Sequence, residues 1–330
     1  MFQNHLWVHK NTLFLRLKPT DIAMECTQWI KHARSNGVLS VRWAFDFTSW
    51  KPNESEIIKA SRSIQSEEKE RIGRFVYGKD AKASLIGRLM MRKYVSLCTG
   101  IPYNEINFAR DGSGKPFLTN DSNNQELVPI FNVSHQGNFT VLAGEFGRKG
   151  DMKLGVDVMK LEYSGGKGIG DFFRIMSRQF SKNEWDNIRK AGKDTLMQMQ
   201  KDESMLKMFC RNWCLKESYV KATGTGITVD LQSISFRIPS EVLSANHISK
   251  DSAVFLNGVA MNEWIFEESL VNDEHCVAVA IFRKEKNQSD LGNEIFKHID
   301  LDELLSGSIP VSAEDRTFCE DFISKEEKPS

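Results

Sequence analysis

No two cysteines of this chain form a CxxC pair, its histidines are dispersed, no apolar run reaches the ~18 residues of a membrane span, and the formal net charge is zero. Each absence excludes something. Zinc modules need closely spaced Cys/His ligands, and the nearest candidates, the Cys210/Cys214 pair and His275-Cys276, read as core packing. The six cysteines (Cys26, Cys98, Cys210, Cys214, Cys276, Cys319) are scattered, and no secretory h-region precedes them, so they read as reduced thiols of a cytosolic protein. Forty-four basic against forty-four acidic residues argues against a polybasic nucleic-acid binder. There is no GxxxxGK[ST] run; Gly165-Gly-Lys-Gly168 lacks that spacing and reads as a connector, which removes a P-loop kinase.

The zero charge conceals a division. Residues 286–330 carry eleven acids and five bases, leaving 39 bases and 33 acids in residues 1–285. The tail is expected to be solvated and disordered, with one short helix near Ile299 to Leu305. Residues 1–38 are expected to be a poorly ordered extension; five bases against two acids in residues 1–37 keep a mitochondrial transit peptide as the alternative. Residues 69–93 hold eight bases and two acids. Most of such a run is a solvated helix face, and a polyphosphate ligand would explain why one or two are needed.

The body reads as duplicated. A capped helix beginning near Ser66 leads into a long helical stretch, the Gly100-Ile101 turn and alternating residues from Phe131 to Ala143. A capping box at Ser181/Glu184 leads into a second long helix, the Gly224/Gly226 turn and alternating residues from Cys276 to Phe282. Phe131 to Ala143 predicts a strand, a turn at Gln136-Gly137-Asn138 and a returning strand. The expected fold class is α+β: a pseudo-dimer of two similar halves, residues 39–162 and 163–285, meeting along a cleft.

Two places carry chemistry. Trp213, Glu217 and Lys221 are spaced by four and so share one helix face. Alone, such a Glu/Lys pair is ordinary surface charge worth a few tenths of a kcal/mol. Gly155-Val-Asp157, ending an apolar strand, could deliver a second carboxylate, and two carboxylates with phosphate oxygens suit Mg²⁺.

Gly-Val-Asp followed some sixty residues later by Trp-x-x-Lys-Glu-x-x-x-Lys resembles the signature pair of the Sfp-type 4′-phosphopantetheinyl transferases. Val41-Arg-Trp-Ala-Phe, the Ser63 to Gly73 stretch, Gly87-Arg-Leu-Met, Gly114-Lys-Pro, Asn132-Val-Ser-His-Gln-Gly and Trp264-Ile-Phe-Glu-Glu-Ser stand in the same order, so the resemblance covers about residues 39–285. It implies the pseudo-dimeric fold with coenzyme A in the cleft. It also implies Mg²⁺-dependent transfer of the 4′-phosphopantetheine arm to a serine hydroxyl of an apo acyl-carrier or peptidyl-carrier domain, releasing adenosine 3′,5′-bisphosphate. Asp157, Glu217 and Lys221 would be catalytic, with Asp157 and Glu217 holding the metal. Contacts to coenzyme A would come from Arg71, from Arg110, Asp111, Gly112, Ser113, Gly114 and Lys115, from Asn132, Val133, Ser134 and His135, and from Lys216 through Ser218, Tyr219 and Val220 to Lys221. Bacterial members carry an acid two residues after the motif Asp, where this chain has Met159; Gln136 or water would then complete the magnesium shell. The implied partners are carrier regions of fatty-acid synthase, aminoadipate-semialdehyde dehydrogenase and folate dehydrogenase, met by a monomer, with no nucleic acid or membrane. The other reading, a coenzyme-A-binding or carrier-docking protein without catalysis, predicts loss of Asp157, Glu217 or Lys221, and all three are present.

Overall fold

A computed structural model describes residues 40–112, 114–120, 127–148, 150–163, 165, 168–193, 197–226, 229–284 and 294–327. The N-terminal extension therefore lies outside the described residues, as do Ser113 and residues 285–293.

Two sheets carry the architecture. Strands β1 (Ser40–Asp46), β4 (Leu127–Gln136), β5 (Phe139–Arg148) and β12 (Lys297–His298) form the first, in the order β12-β1-β5-β4. Strands β6 (Met152–Lys160), β10 (Trp264–Asn272) and β11 (His275–Arg283) form the second, in the order β10-β11-β6. Residues alternate across each strand, so each sheet has two faces to bury. Val41 and Phe45 on β1 and Leu142 and Phe146 on β5 meet helix α3 (Gly78–Thr99) through Leu85, Ile86, Leu89 and Met90. The opposite faces of the two sheets meet each other: Ala44, Val141 and Ala143 pack with Leu154, Val156, Val158, Val277, Val279 and Ile281. Cys276, Ala278 and Ala280 on the remaining face of β11 pack with helix α6 (Gln198–Thr223). The result is four layers, helix-sheet-sheet-helix. Among the described residues, no helix is long and apolar enough to cross a membrane.

The local signals read from sequence have structural counterparts. Helix α2 (Ser66–Gly73) starts one residue away from the expected cap: Gln65 is the N-cap and donates its backbone N–H to Glu68, while Ser66 is the first helical residue. Helix α5 (Lys182–Lys190) has its capping box at Ser181/Glu184. Helices α3 and α6 both end on a left-handed glycine, Gly100 (φ 69°) and Gly224 (φ 72°), a conformation that costs glycine little.

Buried polar contacts join the two sheets. Arg42 on β1 binds Glu145 on β5 at 2.7 Å and Glu267 on β10 at 2.8 Å, all three being buried. His275 at the start of β11 reaches the β4–β5 turn, where Nε2 accepts from the Asn138 N–H (3.1 Å) and Nδ1 donates to Asn272 Oδ1 (2.8 Å). The imidazole must be neutral to accept there. Burial, then Lys160, pull its pKa down to about 4, with Lys79 acting in the same direction and Asp46 and Glu162 opposing.

The acidic tail is the correction. Residues 294–327 do not lie in solvent: β12 runs parallel to β1, and helices α7 (Leu301–Leu305) and α8 (Arg316–Ser324) bury Leu301, Leu304, Leu305, Phe318, Cys319 and Phe322 in the core beneath α3. The arm also occupies part of the basic run. Lys82 pairs with Glu327 (3.2 Å), Lys69 with Asp315 (4.0 Å), and Lys69 and Lys93 donate to the carbonyls of Ala313 and Ser306. Low average hydrophobicity misled the sequence reading, because few apolar residues placed at helical spacing suffice when a groove awaits them.

Two outcomes are expected. Phe322→Ala should destabilise the whole fold by about 3 kcal/mol in urea unfolding, and a loss below about 1 kcal/mol would mean that the arm is dispensable. Because the His275 pKa is depressed on folding, its stabilising contribution is present above pH 6.5 and is lost as pH falls toward 4, on the order of 2 kcal/mol. His275→Gln should flatten that part of the stability profile.

Candidate active site

The site begins with a close approach. Strand β6 lies directly against α6 at Gly155, where an added Cβ would sit 2.1 Å from the Ser218 carbonyl oxygen and 2.5 Å from the Ala222 nitrogen. Only glycine permits this spacing. Two residues on, and so on the same face, Asp157 meets α6 as well. Its Oδ1 accepts from Lys221 Nζ (2.6 Å) and Ser134 Oγ (2.8 Å), and Lys221 also donates to Ser134 Oγ (2.8 Å). The Asp157 carbonyl accepts from Cys214 Sγ at 2.9 Å.

In the last three turns of α6 before Ala222, Trp213, Glu217 and Lys221 are half-buried while the positions between them are buried, so the stripe inferred from their spacing is the accessible face. Glu217 has no hydrogen bond or ion pair among the described residues. Burial and then the Asp157 charge raise its carboxyl pKa, with Lys221 opposing. Two carboxylates thus share a partly desolvated place with a single ammonium bonded to one of them. Asp157 Oδ2 and both Glu217 oxygens have no partner among those residues. That donor set fits a hard divalent cation whose remaining ligands are water and phosphate oxygens. No group of three or more His, Cys, Asp or Glu side chains suited to a metal comes together among the described residues.

A hairpin that carries cations lies beside this centre. Strands β2 (Phe108–Arg110) and β3 (Pro116–Leu118) form a hairpin whose turn is closed by Gly114 N–H to the Asp111 carbonyl (2.9 Å) and by Lys115 N–H to Asp111 Oδ1 (3.0 Å). Gly114 adopts φ 83°, and Gly112 has open space around it. Lys115 Nζ leans on the Lys221 carbonyl at 3.4 Å. Burial lowers the Arg110 pKa, and neighbouring Arg71 lowers it further. Burial likewise lowers Lys115, with Lys153 adding to the effect and Asp111 opposing. The pKa of His135, near the end of β4, is lowered by desolvation and then by Lys221, with Asp80 and Asp157 opposing. Cations that depress one another mark a place for an anion. Lys153 was missed in the sequence reading; its position four residues before Asp157, on the same strand face, was the available signal.

Several expected contacts are placed elsewhere. Lys216 is fully buried: its ammonium pairs with Glu184 (2.8 Å) and donates to the carbonyls of Gln179, Leu231 and Ile234. The expectation that it flanks a phosphate is corrected, because every donor is spent inside the second half. Ser218 Oγ donates to the Leu215 carbonyl, Tyr219 packs on Trp264 with ring centroids 4.6 Å apart, and Val220 is core. Val133 packs against the first core near Gly87. Asn132 and Gln136 direct their side-chain oxygens to backbone amides of β6, at Val156 and Lys160. Met159 packs on the apolar cluster of the second half.

Known proteins resemble this chain along most of its length. Residues 48–147 match the family described as 4′-phosphopantetheinyl transferase, N-terminal, and residues 153–280 match the 4′-phosphopantetheinyl transferase superfamily. The chain is 40% identical over 299 residues to the human L-aminoadipate-semialdehyde dehydrogenase-phosphopantetheinyl transferase, covering 88% of this chain and 93% of the human protein. It is 32% identical over 240 residues to a phosphopantetheinyl transferase of Thraustochytrium sp., covering 72% and 77%. Similarity extends to the Bacillus subtilis 4′-phosphopantetheinyl transferase ffp, 30% identical over 175 residues, covering 53% and 66%.

The close approach at Gly155 predicts that Gly155→Ala lowers stability by about 1 to 3 kcal/mol in denaturant titration. Gly112→Ala, with nothing near its Cβ position, should stay within about 0.5 kcal/mol of the parent.

Proposed function

Because the chain belongs to the 4′-phosphopantetheinyl transferase family, we propose that it performs that transfer between its two halves, with Asp157, Glu217 and Lys221 at the reacting centre. The 4′-phosphopantetheine arm of coenzyme A passes to a serine hydroxyl of an apo carrier domain. The observation that carries the assignment is the pair Asp157 and Glu217, delivered by β6 and α6 to one place, with Lys221 bonded to Asp157 and Lys115 against the Lys221 carbonyl.

In this reading residues 39–162 and 163–285 form a pseudo-dimer, each half having a long helix closed by a left-handed glycine, with β6 of the first half completing the sheet of the second. Since one chain supplies both walls, a monomer is sufficient. Arg71, Arg110 and Lys115, joined by Lys153, hold the phosphates of the nucleotide, with Arg presenting a planar fork of donors and Lys a movable charge. Asp157 and Glu217 would hold Mg²⁺, which when bound supplies charge neutralisation at the pyrophosphate. Glu217 accepts the proton of the carrier serine. The serine oxygen bonds to the β-phosphorus as the bond from that phosphorus to the bridging oxygen breaks, and that oxygen keeps the electron pair as adenosine 3′,5′-bisphosphate leaves. Lys221 stabilises the departing phosphate. The name of the human relative supports a carrier region of aminoadipate-semialdehyde dehydrogenase type as a partner.

Incubation of an apo carrier domain with coenzyme A, Mg²⁺ and this protein should add one phosphopantetheine mass, read by mass spectrometry. Glu217→Gln should lower kcat at least ~100-fold, and wild-type kcat in that variant would remove Glu217 from the reaction.

A further inference from the structure

The junction between the two sheets beside the site is built from side chains, not from a strand ladder. Strand β6 pairs with β11 along one edge. Along the other edge lies β4, whose residues 132, 134 and 136 share a face at period two. Asn132 Oδ1 accepts from the Val156 N–H at 2.9 Å, Ser134 Oγ donates to Asp157 Oδ1 at 2.8 Å, and Gln136 Oε1 accepts from the Lys160 N–H. The amides of Val156 and Lys160, four residues apart, face the same edge of β6 and are the groups a neighbouring strand would otherwise bind. One amide of that edge immediately precedes Asp157.

We propose that Asn132 is a positioning residue for the transfer reaction, holding the Val156 amide so that the Asp157 carboxylate stays beside Ser134 and Lys221, in place of the coenzyme A contact that resemblance alone implies. The proposal rests on Asp157 being a metal-holding carboxylate. Asp157 is fixed on its α6 side by the Gly155 contact and by Cys214 Sγ on its carbonyl. Asn132 supplies the opposing anchor from β4, through the peptide that joins Gly155 to Val156, one residue before Asp157. Without that acceptor, the β4 edge of β6 keeps only the Gln136 contact at Lys160 and the Ser134 contact to the Asp157 side chain, and the strand loses the backbone anchor next to Asp157. Groups that orient a metal ligand in this way typically change metal affinity or activity 10- to 100-fold when removed.

The test uses the full chain and Mn²⁺ as a spectroscopic probe, with free Mn²⁺ read by electron paramagnetic resonance in the absence of coenzyme A, beside kcat and KM. Asn132→Ala should weaken Mn²⁺ binding about 10-fold or more and lower kcat, with KM for coenzyme A within about 2-fold. Asn132→Asp, which keeps an acceptor oxygen, should recover most of the binding. Should the alanine variant fail to fold, Asn132→Gln carries the same test, because it retains the amide but displaces the oxygen by one methylene. A rise in KM for coenzyme A with unchanged Mn²⁺ binding would overturn the proposal and make Asn132 a ligand contact. Unchanged values throughout would also overturn it. Asp157→Asn serves as the control: unchanged Mn²⁺ binding there removes the metal assignment and this proposal with it, whereas weakened binding there and unchanged binding in Asn132→Ala removes this proposal alone.

Discussion

Everything at the proposed reacting centre depends on how closely β6 approaches α6. A strand and a helix normally pack through their side chains; here the strand presents a hydrogen atom at Gly155, and the helix backbone at Ser218 and Ala222 fills the space a methyl group would take. That contact sets the distance from which Asp157 reaches Lys221. It also sets the height of the accessible stripe Trp213, Glu217 and Lys221 above the sheet. The Cys214 thiol on the Asp157 carbonyl and the β4 side chains on the far edge of β6 then fix the strand along its own axis. Catalytic geometry tolerates errors of only a fraction of an ångström, so a backbone contact is a better foundation for it than flexible side chains.

The charges of the molecule fall into two populations. One is buried and paired. Glu267 and Glu268 are neighbours on β10 that point to opposite faces, Glu267 to Arg42 of the first sheet and Glu268 to Arg211 of α6 at 2.7 Å. Lys216 belongs with them, enclosed by Glu184 and three carbonyls. Such pairs contribute little net stability compared with apolar replacements, but breaking one leaves a buried charge and is costly. The other population is like charge set beside like charge: Arg110 by Arg71, Lys115 by Lys153, and Asp157 by Glu217 in a partly dry space. The stress in this second set would be relieved by ligands of opposite sign, as the proposed transfer requires.

The C-terminal arm shows how composition can be read correctly and still mislead. Its excess of acids is real, and some of them lie against Lys69 and Lys82 of the basic run, so part of that run's charge is answered within the chain. What seats the arm is apolar: two short helices place Phe318, Cys319 and Phe322, and Leu301, Leu304 and Leu305, at helical spacing over a groove beside α3. Neither helix is long enough to be stable alone. The groove that stabilises them is formed by residues more than two hundred positions earlier.

The sequence by itself determined whatever depends on local periodicity: the Ser181/Glu184 cap, the β4–β5 hairpin, the shared face of Trp213, Glu217 and Lys221, and the strand carrying Gly155 and Asp157. These follow from 3.6 residues per helical turn and two per strand repeat, which any reader of the chain can count. Tertiary structure alone decided which of the two motif lysines faces the site. Lys216 and Lys221 are alike as residues, and the partner that captures Lys216 is Glu184, thirty-two positions away. It also decided that Asn132 and Gln136 serve β6, that Lys153 joins the cations, and that the acidic arm folds back. Each of these outcomes is a contact between segments distant in sequence, fixed by burial and by the need to satisfy polar groups that no local pattern encodes.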